Sequence, residues 1–339
     1  MIVGSDRGDP GRALVAGGAG FLGSHLCDAL LAQGWAVTCL DNLQTGRLPN
    51  LAHARTHPRF ALIEADVSEP LPAAAASAPW DEIYNLACAA SPPAYQRDPE
   101  HTMMTSVVGT QQLLRLAERT GARFLLTSTS EIYGDPLEHP QTESYRGNVN
   151  PIGPRACYDE GKRAAEALSF DFDRQARALV RVARIFNTYG PRLDPRDGRV
   201  VSNLIAQALA GQILTVFGTG DQTRSFCHVD DLVRGLVALM RHDGAQPGPV
   251  NLGNPIEITV LDLARRVAAL AGTDHRVVHL PLPVDDPQRR RPDIALAARV
   301  LGWTPRVDLD AGLRATMDWF AAEMAAVPPP MAPVLALAR

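Results

Sequence analysis

The chain has 339 residues, 46% of them hydrophobic and 21% charged, with a formal net charge of -4; that suffices for one large domain or two joined lobes and is too little charge to attract nucleic acid or anionic lipid in bulk. Its five cysteines, Cys27, Cys39, Cys88, Cys157 and Cys227, contain no CxxC pair, which argues against a zinc site and a disulfide framework, so neither metal nor cross-links are expected. A polar, Gly-rich start and the lack of a bilayer-length apolar run argue against a secretion signal or membrane anchor and leave the cytoplasm as the expected compartment.

In chain order, apolar runs of strand length alternate with segments of helical period: "ALVAG", "LGSHLCDALLAQG", "AVTCL", "FALIEAD", "EIYNLA", a long helix from about Glu100 to Thr120, and "RFLLTSTS". Strands buried on both faces and joined by helices form a parallel sheet with right-handed crossovers. The predicted class is therefore α/β, a doubly wound parallel (Rossmann) sheet. After "LVRVARIFN", Pro and Gly cluster between Gly190 and Gly198 and the elements shorten, predicting a smaller C-terminal α/β lobe. The expected organisation is 12–186 mainly as a nucleotide-binding domain, 187–322 mainly as a second lobe, and disordered tails at 1–11 and 325–339.

The first strand runs into "GGAGFLG", which places Gly17, Gly20 and Gly23 three apart where a helix begins. Glycine permits the tight turn and close backbone approach, and the helix N-terminus offers free N–H groups to a pyrophosphate. Asp41 ends the next strand, where a carboxylate binds adenine-ribose hydroxyls, so the pair favours NAD over NADP. Asp66 and Val67 follow the third strand within reach of an adenine, although an Asp there serves equally well as a cap.

"CYDEGKRAAEAL" puts Tyr158 and Lys162 four apart on one helical face. A phenol titrates near 10 by itself, and a neighbouring ammonium and a nicotinamide cation favour its phenolate, which makes it a usable base. A YxxxK pair alone is common on solvated helices. Preceded by a nucleotide fold and the "TSTS" strand end, it resembles the extended short-chain dehydrogenase/reductase superfamily, which implies that Thr129 completes the site.

A narrower resemblance rests on "ACAASPPAYQ", "LLTSTSEIYGDPLEHPQTESYRGNVNPIGPRACYDEGKR", "RIFNTYGPR", "DGRVVSN", "GDQTRSF" and "DDPQRRRPDI". Together, from about Arg12 to Phe320, the chain resembles the UDP-glucuronate decarboxylase family. That likeness implies oxidation at the sugar C4 with NAD, Tyr158 as base and Lys162 holding the tyrosinate and the nicotinamide ribose. A carboxylate β to the resulting ketone leaves as carbon dioxide, and reduction then yields UDP-xylose. It marks Ser130, Glu131 and Arg290 as the residues around C5, with Arg290 orienting the substrate carboxylate and Glu131 and Ser130 handling water or the proton.

The same resemblance implies that Phe21, Leu22, Asn42, Thr45, Gly46, Leu86, Ala87 and Arg192 also line the cofactor. It implies diphosphate contacts from Asn187 and Arg224, a uracil platform including Phe217, further substrate contacts from Tyr95, Val201 and Gln222, and closure by 199–203. Relatives pair as homodimers through the helices of 100–120 and Tyr158.

Ala16, Asn85, Ala89, Ala94, Met104 and Ser106 depart from the family pattern, and most are expected to line the cofactor or sugar. That raises the expectation that some UDP-4-keto-pentose escapes before the final reduction. The rival readings are a sugar-nucleotide 4-epimerase or 4,6-dehydratase, which has no use for Arg290 beside a carboxylate, and a catalytically silent NAD-binding regulator.

Overall fold

A computed structural model describes residues 11–273, 276–282 and 289–326. Of the tails expected to be disordered, Gly11 leads into the first strand and Ala325 and Ala326 close the last helix, while the rest lie outside the described residues.

Six strands come in sequence: β1 (Arg12–Ala16), β2 (Ala36–Asp41), β3 (Phe60–Glu64), β4 (Glu82–Asn85), β5 (Arg123–Thr129) and β6 (Leu179–Ile185). With Pro249–Leu252 they form one seven-stranded sheet, ordered Pro249–Leu252, β6, β5, β4, β1, β2, β3, and each adjacent pair is parallel. Side chains alternate across the sheet. Ala13 and Val15 of β1 pack with helix α1 (Phe21–Ala32) and the helix Val229–Met240. Leu14 and Ala16 pack on the other face against Leu113 and Leu116 of Thr110–Thr120 and Ala165 and Phe172 of Ala156–Arg174. Burial on both faces explains why these strands read as continuous apolar runs.

The chain order reverses between β1 and β4, so the connections leaving their carboxyl ends run in opposite directions and leave a crevice there. The helix predicted over 100–120 begins at Pro99, capped by the Asp98 carboxylate accepting from the His101 N–H at 3.1 Å. It carries a π-helical turn at Thr105–Gly109, which seats Ser106 against Gly161 of the neighbouring helix, where an added Cβ would lie 3.1 Å from the serine Cβ.

The second lobe has its own core, drawn from Leu204, Ile205, Leu263, Val267, Leu313 and Phe320 on the helices Val200–Leu209, Val260–Ala271 and Leu309–Ala326. The division at residue 187 needs one correction. Val229–Met240 and Pro249–Leu252 return to the large sheet, because their apolar faces join the α1 side of its core. The lobe is therefore discontinuous in sequence.

Candidate active site

One crevice of about 1210 Å³ runs from α1 across the carboxyl ends of the strands to the second lobe. At one end Gly17, at φ +78°, turns the chain so closely under β4 that a Cβ would lie 2.7 Å from the Leu86 backbone. Gly23 lets α1 press against that turn, since its Cβ would stand 2.1 Å from the Gly17 carbonyl oxygen. No acidic residue and no side-chain cap occupy the first turn of α1, so its N–H groups and positive dipole end face an anion.

Asp41 is buried, its oxygens accepting from Ala19 N–H at 2.9 Å and Leu43 N–H at 2.8 Å. Burial raises its pKa above the usual carboxylate value, and these two bonds offset only part of the rise. A carboxylate offers about four lone-pair directions, so acceptor capacity remains for ribose hydroxyls.

Beyond it, Asn42, Asp66, Val67 and Ala87 line an adjoining small recess with His101. Burial pushes the Asp66 pKa up, but hydrogen bonds from Ser68, His101 (2.6 Å) and Asn42 (2.7 Å) outweigh it and hold the carboxyl at about 2. This glycine turn, donor helix and paired carboxylates suit a dinucleotide such as NAD, which Phe21, Leu22, Thr45, Gly46 and Leu86 would also line. Arg192 lines the same crevice, with Nη2 donating to Asp28 of α1 at 2.6 Å.

At the middle of the crevice β5 ends in Thr129, and Ala156–Arg174 presents Tyr158 and Lys162. Lys162 is 3% exposed and donates to the Thr127 carbonyl at 3.0 Å, and burial lowers its pKa. Burial raises the Tyr158 phenol well above its ordinary range, with a smaller downward pull from a hydrogen bond with Thr129. The phenol is therefore protonated without ligands, and the base form requires a cation brought beside it.

Directly after Thr129 the chain enters a short helical turn, Ser130–Tyr133, which Thr129 caps, its Oγ1 accepting from the Glu131 N–H at 3.2 Å. This turn swings Glu131 into the crevice. Arg290 meets it with both Nη groups, Nη2 donating to Oε2 at 2.9 Å, and Arg155 Nη2 lies 3.5 Å from the same Oε2. Burial pushes the Glu131 pKa up, but Arg290, Arg155 and Arg224 outweigh it and hold the carboxyl at about 2.

The arginine triplet is resolved by strand alternation. Arg290 turns inward at 4% exposure beside its register partner Arg224, whereas Arg289 is exposed and Arg291 pairs with Glu257 at 3.7 Å. Asn187, Val201, Phe217, Gln222 and Arg224 line the lobe side of the crevice.

Two expectations are corrected. Tyr95 does not line the crevice: it is 1% exposed and stacks behind Tyr158, because its hydroxyl is anchored inward by Arg155 Nε at 3.0 Å. Among the departures, only Ala94 and Ala89 line the crevice or the recess. Ala16 and Asn85 are wholly buried, Met104 is 40% exposed, and Ser106 lies against the Cys88 thiol, with Oγ and Sγ 3.4 Å apart. Most of these positions therefore stand outside the space that the cofactor and sugar would fill.

Sequence reasoning passed over Arg155, Arg47 and Cys88, which also line the crevice. Arg155, three residues before Tyr158, carried a local signal in its place at the helix start. Among the described residues no cluster of three or more potential ligands could hold a metal ion, and no helix is long and apolar enough to cross a membrane.

Comparison with known proteins agrees with this geometry. The sequence pattern of the NAD dependent epimerase/dehydratase family matches residues 13–253. UDP-glucuronic acid decarboxylase 6 of Arabidopsis thaliana is 56% identical over 303 residues, covering 89% of this chain and 86% of the relative. UDP-glucuronic acid decarboxylase 1 of Danio rerio is 52% identical over 316 residues, covering 93% and 74%.

Among solved structures, UDP-glucose 4-epimerase of Thermotoga maritima with UDP-glucose superposes with a TM-score of 0.83 at 28% identity, covering 92% of this chain and 99% of that one. UDP-glucuronic acid 4-epimerase of Bacillus cereus, in complex with UDP-glucuronic acid and NAD, gives 0.82 at 27% identity over the same shares. The chain belongs to the NAD dependent epimerase/dehydratase family and, within it, to the UDP-glucuronic acid decarboxylases.

Proposed function

We propose that this protein decarboxylates UDP-glucuronate to UDP-xylose with NAD as a retained cofactor. The observation that carries the reading is the buried Glu131–Arg290 pair beside Thr129, Tyr158 and Lys162: a cation that can receive a sugar carboxylate stands next to a redox base.

Bound NAD supplies reversible removal of the C4 hydrogen with its electron pair. Tyr158 accepts the C4 hydroxyl proton, and the buried Lys162 ammonium, supported by Thr127, stabilises the phenolate. Arg290 orients the carboxylate. When the carbon–carbon bond to it breaks, the electron pair passes towards O4, where the hydroxyls of Thr129 and Tyr158 donate to the developing oxyanion. Glu131 and Ser130 then manage the proton that C5 takes up, and Tyr158 returns its proton to O4 as C4 is reduced. Asn187 and Arg224 hold the diphosphate, arginine suiting phosphate through its fixed fork of donors.

The same proposal includes a homodimer built from Pro99–Thr120 and Ala156–Arg174 of each copy, checked by sedimentation, and action in the cytoplasm, checked by fractionating cells.

The purified protein, given UDP-glucuronate and NAD, is expected to release carbon dioxide and form UDP-pentose while NADH absorbance stays flat. Epimerised UDP-sugar without carbon dioxide points to the epimerase reading. No turnover of any UDP-sugar points to a silent binder.

A further inference from the structure

We infer that Arg155 sets the carboxylate specificity of the site: it keeps Glu131 when the substrate carboxylate takes Arg290. The inference rests on the decarboxylase reading and adds to it a residue outside the set that the sequence marks.

Glu131 is shared. Both Arg290 Nη groups reach its oxygens, and Arg155 Nη2 approaches Oε2 at 3.5 Å. All three side chains are largely buried, with exposures of 4% for Arg290, 11% for Arg155 and 16% for Glu131. A substrate carboxylate that takes the Nη1–Nη2 face of Arg290 displaces Glu131 from it. Left unpaired, Glu131 would then face a second carboxylate at close range, and like charges so placed oppose one another.

Arg155 meets that need because it cannot follow Glu131 away. Its Nε donates to the Tyr95 hydroxyl at 3.0 Å, and its carbonyl accepts from Tyr158 N–H at 3.0 Å and Asp159 N–H at 3.1 Å at the start of the catalytic helix. The other charged groups facing Glu131 do not substitute for it. Arg224 neighbours Arg290 in register, and Arg199 is paired with Asp197 at 2.5 Å. Asp159 adds negative charge when ionised, and burial first, then the charge of Glu131, raises its pKa to about 7.

The test compares binding of UDP-glucuronate and of UDP, which has no carboxylate, to the protein loaded with NADH, which cannot accept the C4 hydride, and to Arg155→Gln and Arg155→Lys in the same form, by calorimetry from pH 8 to pH 5.5. At pH 8 Arg155→Gln is expected to weaken UDP-glucuronate about tenfold, as for loss of one charged hydrogen bond, and to leave UDP within about twofold. As pH falls, Glu131 in that variant, relieved of one cation, takes up a proton and affinity returns. The unchanged protein shows no such recovery, and Arg155→Lys retains most of the affinity for UDP-glucuronate.

Equal weakening of UDP and UDP-glucuronate, or a deficit independent of pH, overturns the inference. Failure of the decarboxylase reading looks different: the unchanged protein itself then releases no carbon dioxide from UDP-glucuronate.

Discussion

Tyr95 lies flat behind Tyr158, with ring centroids 5.1 Å apart and planes within 4° of parallel. The stack restricts the plane in which the Tyr158 phenol can turn, and the Tyr95 hydroxyl is itself held by Arg155. Tyr95→Leu, which removes the partner ring, is expected to lower kcat about fivefold, the equivalent of about 1 kcal/mol of ring contact, with little change in KM. Tyr95→Phe keeps the stack and retains most of kcat. Steady-state kinetics of the two variants separate ring from hydroxyl.

Burial keeps the Tyr158 phenol protonated and depresses the Lys162 ammonium. Removing the neighbouring cation with Lys162→Met raises the phenol further, so the rise of kcat with pH moves to higher pH. Tyr158→Phe loses the base outright, and NADH formation is expected to fall by about 10³. Single-turnover measurements of NADH across pH check both.

Glu131→Gln keeps the shape of the group that meets Arg290 but not its charge or basicity. Oxidation at C4, proposed to depend on Tyr158, is expected to continue, whereas carbon dioxide release is expected to slow about a hundredfold. Stopped-flow absorbance should then show NADH forming and not returning. Loss of both signals in parallel would mean that Glu131 serves the first step.

Gly23 and Gly20 separate folding from cofactor binding. A Cβ at Gly23 meets backbone on two sides, at 2.1 Å and 2.7 Å, whereas at Gly20 its nearest neighbour is 3.2 Å away. Gly23→Ala is expected to cost about 2 kcal/mol of stability, since backbone cannot move aside as a flexible side chain can. Gly20→Ala keeps nearly the original Tm and weakens NAD, because the added methyl occupies the space of the pyrophosphate. Thermal melts with and without NAD distinguish the two.

Asp66 provides a pH dependence with a definite sign. Its folded pKa is about 2, below the value near 3.9 of an unfolded Asp. It therefore contributes stability that is fully present above about pH 4 and is lost as pH falls towards 2. Asp66→Asn should flatten that part of the acid unfolding curve and lower NAD affinity at neutral pH.

The sequence by itself determined what is local. Alternating strand and helix periods placed the parallel sheet, the glycines and Asp41 located the cofactor end, and the four-residue spacing put Tyr158 and Lys162 on one face. Each signal depends on the geometry of a single element, which the backbone repeats wherever it occurs. Tertiary structure alone decided the partners. Arg290 and Glu131 lie 159 residues apart, and only pairing of Arg289–Arg290 with Thr223–Ser225 selects the inward arginine of the triplet. Tyr95 was legible as an aromatic beside the site, yet its rotation behind Tyr158 depends on Arg155 of another segment. The return of Val229–Leu252 to the large sheet likewise depends on which apolar face finds which core. Period shows that a face is buried, not what buries it, and burial of these charges and rings sets the chemistry of the site.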